Sequence, residues 1–164
     1  YYSKGIEEKG VLAVGIGAGA RYKMLKPNLL AEILKIFINK KNIKKIFFLG
    51  AGDRDVKYLG ELKRYIDFKD FNIQNLVNKV SLDESIDIIS NCEYYLGFDS
   101  GLFHIAASLR IKTYGIFTKI NEFSHNNWEN VTIFCGKPCI SDKNEYFGNS
   151  ELNNISLEEV EKLL

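Results

Sequence analysis

Proline occurs only twice in 164 residues, histidine twice and cysteine three times. With so little proline, and glycine at 13, no flexible or polyproline linker divides the chain. Three cysteines, an odd and low number, do not make the framework of a disulfide-stapled secreted domain. Cys135 and Cys139 have no second Cys or His pair nearby, so zinc ligation is not expected. Charge of one sign is also lacking. Lys and Arg total 22 against 21 for Asp and Glu, a net +1 that argues against bulk nucleic-acid binding. No apolar run reaches the roughly 18–20 residues of a membrane span, and no basic segment followed by an apolar one opens the chain as a signal peptide does. The chain starts at Tyr1 rather than Met, which reads as a fragment or processed product.

What is present is an ordinary globular composition, 46% hydrophobic and 26% charged, at the length of one domain. Apolar runs and helical periodicities alternate. Strands are predicted at residues 11–16, 43–49, 72–77, 93–98, 112–117 and 131–135. Helices are predicted at 27–40, with Pro27 in the first turn, and from Asp53 as N-cap, with Val56, Leu59, Leu62 and Ile66 inward. Three more follow: 82–91 behind a Ser81/Glu84 capping box, 101–109, and a last one behind a Ser156/Glu159 box. In the fourth of these, Leu102, Ile105, Ala106 and Leu109 form the expected inward stripe. Residues 118–130 and 136–154 read as irregular, and 1–10 as a lead-in or interdomain tether. Strands separated by helices imply a parallel sheet with right-handed crossovers, whose ligands bind at the carboxyl edge. The fold class is therefore α/β, a Rossmann-like parallel sheet flanked by helices, with the domain at residues 11–164.

Three strand-to-helix junctions carry candidate chemistry. Gly15-Ile-Gly17-Ala18-Gly19-Ala20-Arg21-Tyr22-Lys23 combines small residues, whose backbone can approach an anion, with basic ones. It also reads as a tight turn with solvated basic residues. Gly15, Gly17 and Ala20 fit the G-x-G-x-x-G/A dinucleotide pattern, but Pro27 starts the helix late and no acid follows at about 20 residues. The second junction, Gly50-Ala-Gly52-Asp53, offers a carboxylate for ribose hydroxyls or simply a helix cap. The third, Asp99-Ser100-Gly101-Leu-Phe-His104, opens a helix directly off a buried strand. A helix N-terminus supplies free N–H groups and partial positive charge, a ready diphosphate site, with His104 on its first turn.

The third junction resembles the D-[ST]-G-x-x-H signature of glycosyltransferase family 9, the lipopolysaccharide heptosyltransferases. Gly17-Ala18 with Lys23 and Pro27 resembles that family's P-G-A…K-x-W-P segment. Gly50–Asp53 resembles its second glycine turn, and Lys79-Val80-Ser81-Leu82 its base-holding turn. Cys139 and residues 152–160 resemble its C-terminal end. The departures are Ile16 for Pro, Leu25 for Trp, and Glu151 where many relatives carry a second Cys, so a cysteine pair at the tail is not expected.

The resemblance spans residues 11–164 and implies one half of a two-domain GT-B enzyme. It implies that Gly17, Ala18 and Gly19 form the donor loop. Lys23, Ser100, Gly101 and His104 would meet the diphosphate, Asp53 the ribose and Val80 the base. Asp99 opposes a diphosphate in charge, so it orients the loop or meets the sugar.

The implied reaction is inverting transfer of a heptose or related sugar from a nucleoside-diphosphate sugar, such as ADP-heptose, to a lipopolysaccharide-type acceptor. It needs no metal and no cofactor. The catalytic base, and the contact with a lipid-linked saccharide acceptor, would belong to an N-terminal domain, leaving this chain inactive alone. The implied place is cytoplasmic, with the inner membrane face as one option and peripheral membrane contact at most. A non-catalytic nucleotide-sugar-binding domain and an NAD-binding dehydrogenase domain are the alternatives.

Overall fold

A computed structural model describes residues 8–69, 71–117, 128–136 and 154–164. Among them lie six strands: β1 (Glu8–Gly15), β2 (Lys45–Leu49), β3 (Asn72–Asn75), β4 (Cys92–Phe98), β5 (Lys112–Phe117) and β6 (Val131–Cys135). Five α-helices accompany them: α1 (Pro27–Lys41), α2 (Asp53–Leu62), α3 (Leu82–Ser90), α4 (Gly101–Ser108) and α5 (Leu157–Leu163). β1 begins at Glu8, so its first three residues fall within the segment expected to be a tether. Cys139, Glu151 and most of the two segments expected to be irregular lie outside the described residues.

All strand pairs are parallel, in the order β3-β2-β1-β4-β5-β6. The chain builds outward from β1 to β3, then crosses back to place β4 on the other side of β1. Loops leaving β1 and β4 therefore diverge, and the crevice between them is the topological switch point of such a sheet.

Alternation along β1 shows why both faces are covered. Leu12 and Val14 enter one core with Ile46, Phe48, Leu96 and Phe98, roofed by α1, α2 and α5. Val11 and Ala13 enter the other with Tyr95, Phe103 and Phe117, beneath α3 and α4. Sides of opposite sense both buried, with Cys92 to Phe98 of β4 buried throughout, are the mark of a parallel sheet sandwiched by helices. α1 buries Leu30, Ile33, Leu34, Phe37 and Ile38, a stripe at helical spacing, and its first residue is Pro27 as predicted.

The Ser81/Glu84 capping box is complete: Glu84 N–H donates to Ser81 Oγ at 3.2 Å and Ser81 N–H to Glu84 Oε2 at 2.7 Å. At α5, Ser156 Oγ accepts from Glu159 N–H at 3.3 Å, the first half of such a box.

Two helix predictions need correction. The N-cap of α2 is Gly52, at φ 87°, and Asp53 is the first helical residue with no capping bond from a side chain. A left-handed turn there favours glycine, which displaces the acid by one position. Along α2 the inward residues are Asp55, Tyr58, Leu59 and Leu62, whereas Val56 is 48% exposed. Ile66 is buried but lies beyond the end of the helix. A buried carboxylate takes the first place in the inward stripe, where an apolar residue was sought. In α4 the fully buried side chains are Phe103, Ala106 and Ala107. Leu109 is buried just past the helix, and Leu102 and Ile105 pack only at its margin.

No helix among the described residues is long and apolar enough to cross a membrane. Among the same residues, no group of three or more His, Cys, Asp or Glu side chains is placed to hold a metal ion.

Candidate functional site

The register places Gly15 of β1 opposite Leu49 of β2 and Gly97 of β4, so the strands end together and three loops leave one edge. The loop after β1 contains a 3-10 turn, Arg21–Lys23, followed by Met24 and Leu25, both fully buried. α2 fastens this loop at two points. The Arg54 guanidinium donates to the Ala18 carbonyl, and the buried Tyr58 hydroxyl donates to the Leu25 carbonyl at 2.7 Å. Burial pushes the Tyr58 phenol well above its ordinary pKa, so it remains a donor. Leu25, which stands where the resembled motif has Trp, thus serves as an anchor through its main chain.

Asp55 ties the first and second loops together. Its side chain is almost wholly buried; Oδ2 accepts the Ala51 N–H at 3.0 Å, and Oδ1 lies 3.4 Å from Arg54 Nε. A Cβ on Gly17 would collide with Asp55 Oδ2, and one on Gly50 would come within 2.9 Å of it. A buried carboxylate needs such donors to offset its desolvation. The loop after β3 joins through Asn78, itself in the left-handed region at φ 62°. Gly52 N–H donates to Asn78 Oδ1, and Asn78 N–H to the Gly50 carbonyl, both at 3.0 Å.

The first and fourth strand ends meet through side chains. Lys23 Nζ donates to Asp99 Oδ2 at 2.6 Å, and His104 Nε2 lies 3.6 Å from Asp99 Oδ1. The hydrogen bond to Asp99 raises the Lys23 pKa above its ordinary value, so the ammonium stays charged throughout the neutral range. Ser100 is the N-cap of α4, its Oγ accepting the Phe103 N–H at 3.4 Å. The Gly101 and Leu102 N–H groups, in the first turn, have no partner within the helix. Lys23, Asp99 and His104 remain about a third to a half exposed. One ammonium, one imidazole and a helix N-terminus thus open on the same edge, around one carboxylate.

Of the predicted site residues, Lys23, Asp99, Ser100, Gly101 and His104 come together here. Gly17 and Ala18 serve the loop through Asp55 and Arg54, and Gly19 is exposed with open space about it. Asp53 is exposed on the first turn of α2. Val80 sits on the loop after β3, partly buried against the α3–α4 core.

Sequence reasoning missed Arg54, Asp55 and Asn78. The spacing of Asp55 from Tyr58 and Leu59, three and four residues, was the available signal. The dinucleotide fingerprint does not fit physically. Gly15 and Gly17 make room for the Tyr95 phenol and the Asp55 carboxylate, and α1 opens only at Pro27.

The fold is similar to solved glycosyltransferases. It matches the E. coli ADP-heptose LPS heptosyltransferase II with a TM-score of 0.72 and 18% identity, over 94% of this chain and 45% of that one. An E. coli heptosyltransferase solved with ADP matches at 0.66 and 14%, over 94% of this chain and 43% of the other. The domain is a Rossmann-like half of a GT-B glycosyltransferase fold. Lipooligosaccharide heptosyltransferase 2 of Campylobacter jejuni is 25% identical over 125 residues, 76% of this chain and 40% of that protein. The chain belongs to glycosyltransferase family 9 (heptosyltransferase), whose family model matches residues 7–150. It spans less than half the length of the relatives it matches.

Proposed function

We propose that this chain is the donor-binding domain of an inverting glycosyltransferase, which moves a heptose or related sugar from a nucleoside-diphosphate sugar to a lipopolysaccharide-type acceptor. The observation that carries this reading is the meeting of Lys23 with the α4 N-terminus across the β1–β4 switch point. The solved relative that carries ADP supports the ligand class.

In the reaction, an acceptor hydroxyl oxygen bonds to the anomeric carbon on the face opposite the diphosphate. The bond from that carbon to the phosphate oxygen breaks, and its electron pair leaves with the nucleoside diphosphate. Lys23 and the N–H groups of Gly101 and Leu102 stabilise the charge that develops on the leaving group, as preorganised donors do. Ser100 and His104 add hydrogen bonds to it. Asp99 holds Lys23 and His104 in place and presents its remaining acceptor capacity to sugar hydroxyls. Asp53 meets the ribose, Val80 packs on the base, and residues 17–19 form the wall of the donor loop. No step is assigned to a metal ion, and the acceptor's proton goes to a base outside these residues. The same edge supports a non-catalytic domain that only binds the nucleotide sugar, and turnover separates the two.

Calorimetry in the presence of a chelator tests the ligand class. ADP should bind more tightly than AMP, and NADH should show no change in nicotinamide fluorescence. Equal affinity for ADP and AMP would remove the diphosphate from the account.

His104→Ala should separate binding from folding. The imidazole is 48% exposed and rests edge-on to Phe103, with ring centroids 5.2 Å apart, outside the core. The thermal midpoint should move by no more than about 2 °C, the scale of a surface substitution of about 0.5 kcal/mol in a domain this size. ADP affinity should fall about three- to tenfold, one hydrogen bond of about 0.5–1.5 kcal/mol. A variant that melts far earlier and binds ADP normally would make His104 a packing residue.

A further inference from the structure

Tyr95 of β4 is fully buried, and its phenolic oxygen makes no hydrogen bond of full strength; the Ser100 side chain is its polar neighbour. A buried hydroxyl left short of a partner is costly, so it calls for an explanation.

The ring lies along the sheet toward the carboxyl edge. Its oxygen occupies the place where a Gly15 Cβ would stand, and comes within 2.6 Å of where a Gly97 Cβ would be. Gly15, the last residue of β1, and Gly97, the last but one of β4, are partners in register, so two missing side chains make a slot that carries the phenol to the edge. Burial pushes the phenol's pKa up, which keeps it protonated, and Ser100 is the polar neighbour that opposes the shift.

Ser100 Oγ has two acceptor lone pairs and one donor hydrogen. The Phe103 N–H takes one lone pair. If the Tyr95 O–H takes the other, the Ser100 hydrogen must point away from both, off the N-terminus of α4. The opposite arrangement, with Ser100 donating inward to Tyr95, turns that hydrogen away from the edge. An anion at the helix N-terminus accepts hydrogen bonds and selects the first arrangement.

The geometry points to Tyr95 as a positioning residue that aims the Ser100 hydroxyl as a donor to the diphosphate of a bound nucleotide. This rests on the donor-site reading above. Tyr95 does not touch the ligand; it acts through Ser100.

Tyr95→Phe removes one oxygen and leaves the ring. It should weaken ADP binding about three- to tenfold, the worth of one net hydrogen bond, with adenosine affinity unchanged. Thermal stability should change little, because the phenol makes no hydrogen bond of full strength in the ligand-free chain. Ser100→Ala should weaken ADP by a similar factor, and adding Tyr95→Phe to it should change nothing more. The inference is overturned if Tyr95→Phe binds ADP within twofold of the unaltered chain. It is equally overturned if the substitution weakens ADP by the same factor with Ser100 present or absent. Failure of the unaltered chain to bind ADP would overturn the donor-site reading, and this inference with it.

Discussion

Lys23→Ala should weaken ADP binding about ten- to a hundredfold and leave adenosine affinity unchanged. A hydrogen bond to a charged group contributes about 1.5–3 kcal/mol, which spans that range. The Lys23 side chain is 31% exposed, so solvent screening favours the lower end. Added salt should narrow the gap between variant and parent, because the screening length falls from about 10 Å at 0.1 M to about 3 Å at 1 M.

Asp99 sharpens the interpretation. It already holds Lys23 at 2.6 Å, so a bound diphosphate must share that ammonium with a carboxylate. Asp99→Asn removes the competing charge and should not reproduce the loss seen with Lys23→Ala. Calorimetry with ADP and adenosine on both variants checks the pair. Equal losses for the two ligands in Lys23→Ala would take Lys23 out of the phosphate site.

Gly15→Ala should be the most destabilising single methyl addition at this edge. The new Cβ would overlap the Tyr95 phenolic oxygen and stand 2.9 Å from the ring carbon that bears it. That ring is fully buried in the core beneath α3 and α4, the same core that holds Phe103 and Ala106, and has little room to retreat. Overpacking of this kind costs about 1–3 kcal/mol, and the closeness here argues for the top of the range. In a domain of this size the midpoint should fall by roughly 6–12 °C. Urea unfolding gives the cost directly. Repeating it in a Tyr95→Leu background should bring the cost of the glycine substitution below about 1 kcal/mol, since contacting residues are not additive. An undiminished cost in that background would trace the effect to the strand itself.

The contrast between these two residues shows what a sequence can reveal. Short apolar runs and helical stripes are local patterns, and β6 and the start of α1 fall where the patterns put them. The parallel sheet and its ligand edge follow from the alternation of strands and helices. Ser100 and His104 stand out as candidates because a helix opening off a buried strand has its own chemistry, and Lys23 because it sits in a small-residue, basic loop after a buried strand.

Asp55 and Tyr95 do not. Each acts by filling space left by glycines, at least one of them far off in sequence: Gly17 and Gly50 for one, Gly15 and Gly97 for the other. Nothing in local composition marks such a pairing, so Gly15 and Gly17 read as part of a dinucleotide pattern and their part as sockets for side chains stays hidden. The shift of the α2 cap from Asp53 to Gly52 has the same origin. The second loop is shaped by its bonds to Asp55 and Asn78, and these come only with the tertiary fold.

The most direct test of the account is an amide chemical-shift map of the chain titrated with ADP. The account predicts that the largest changes fall on Gly101, Leu102 and His104, on the loop containing Lys23, and on the turn containing Val80. The amino edge of the sheet, around Gly10 and Lys112, should stay still. Changes centred elsewhere than the carboxyl edge between β1 and β4, or none at ADP concentrations well into the millimolar range, would contradict it.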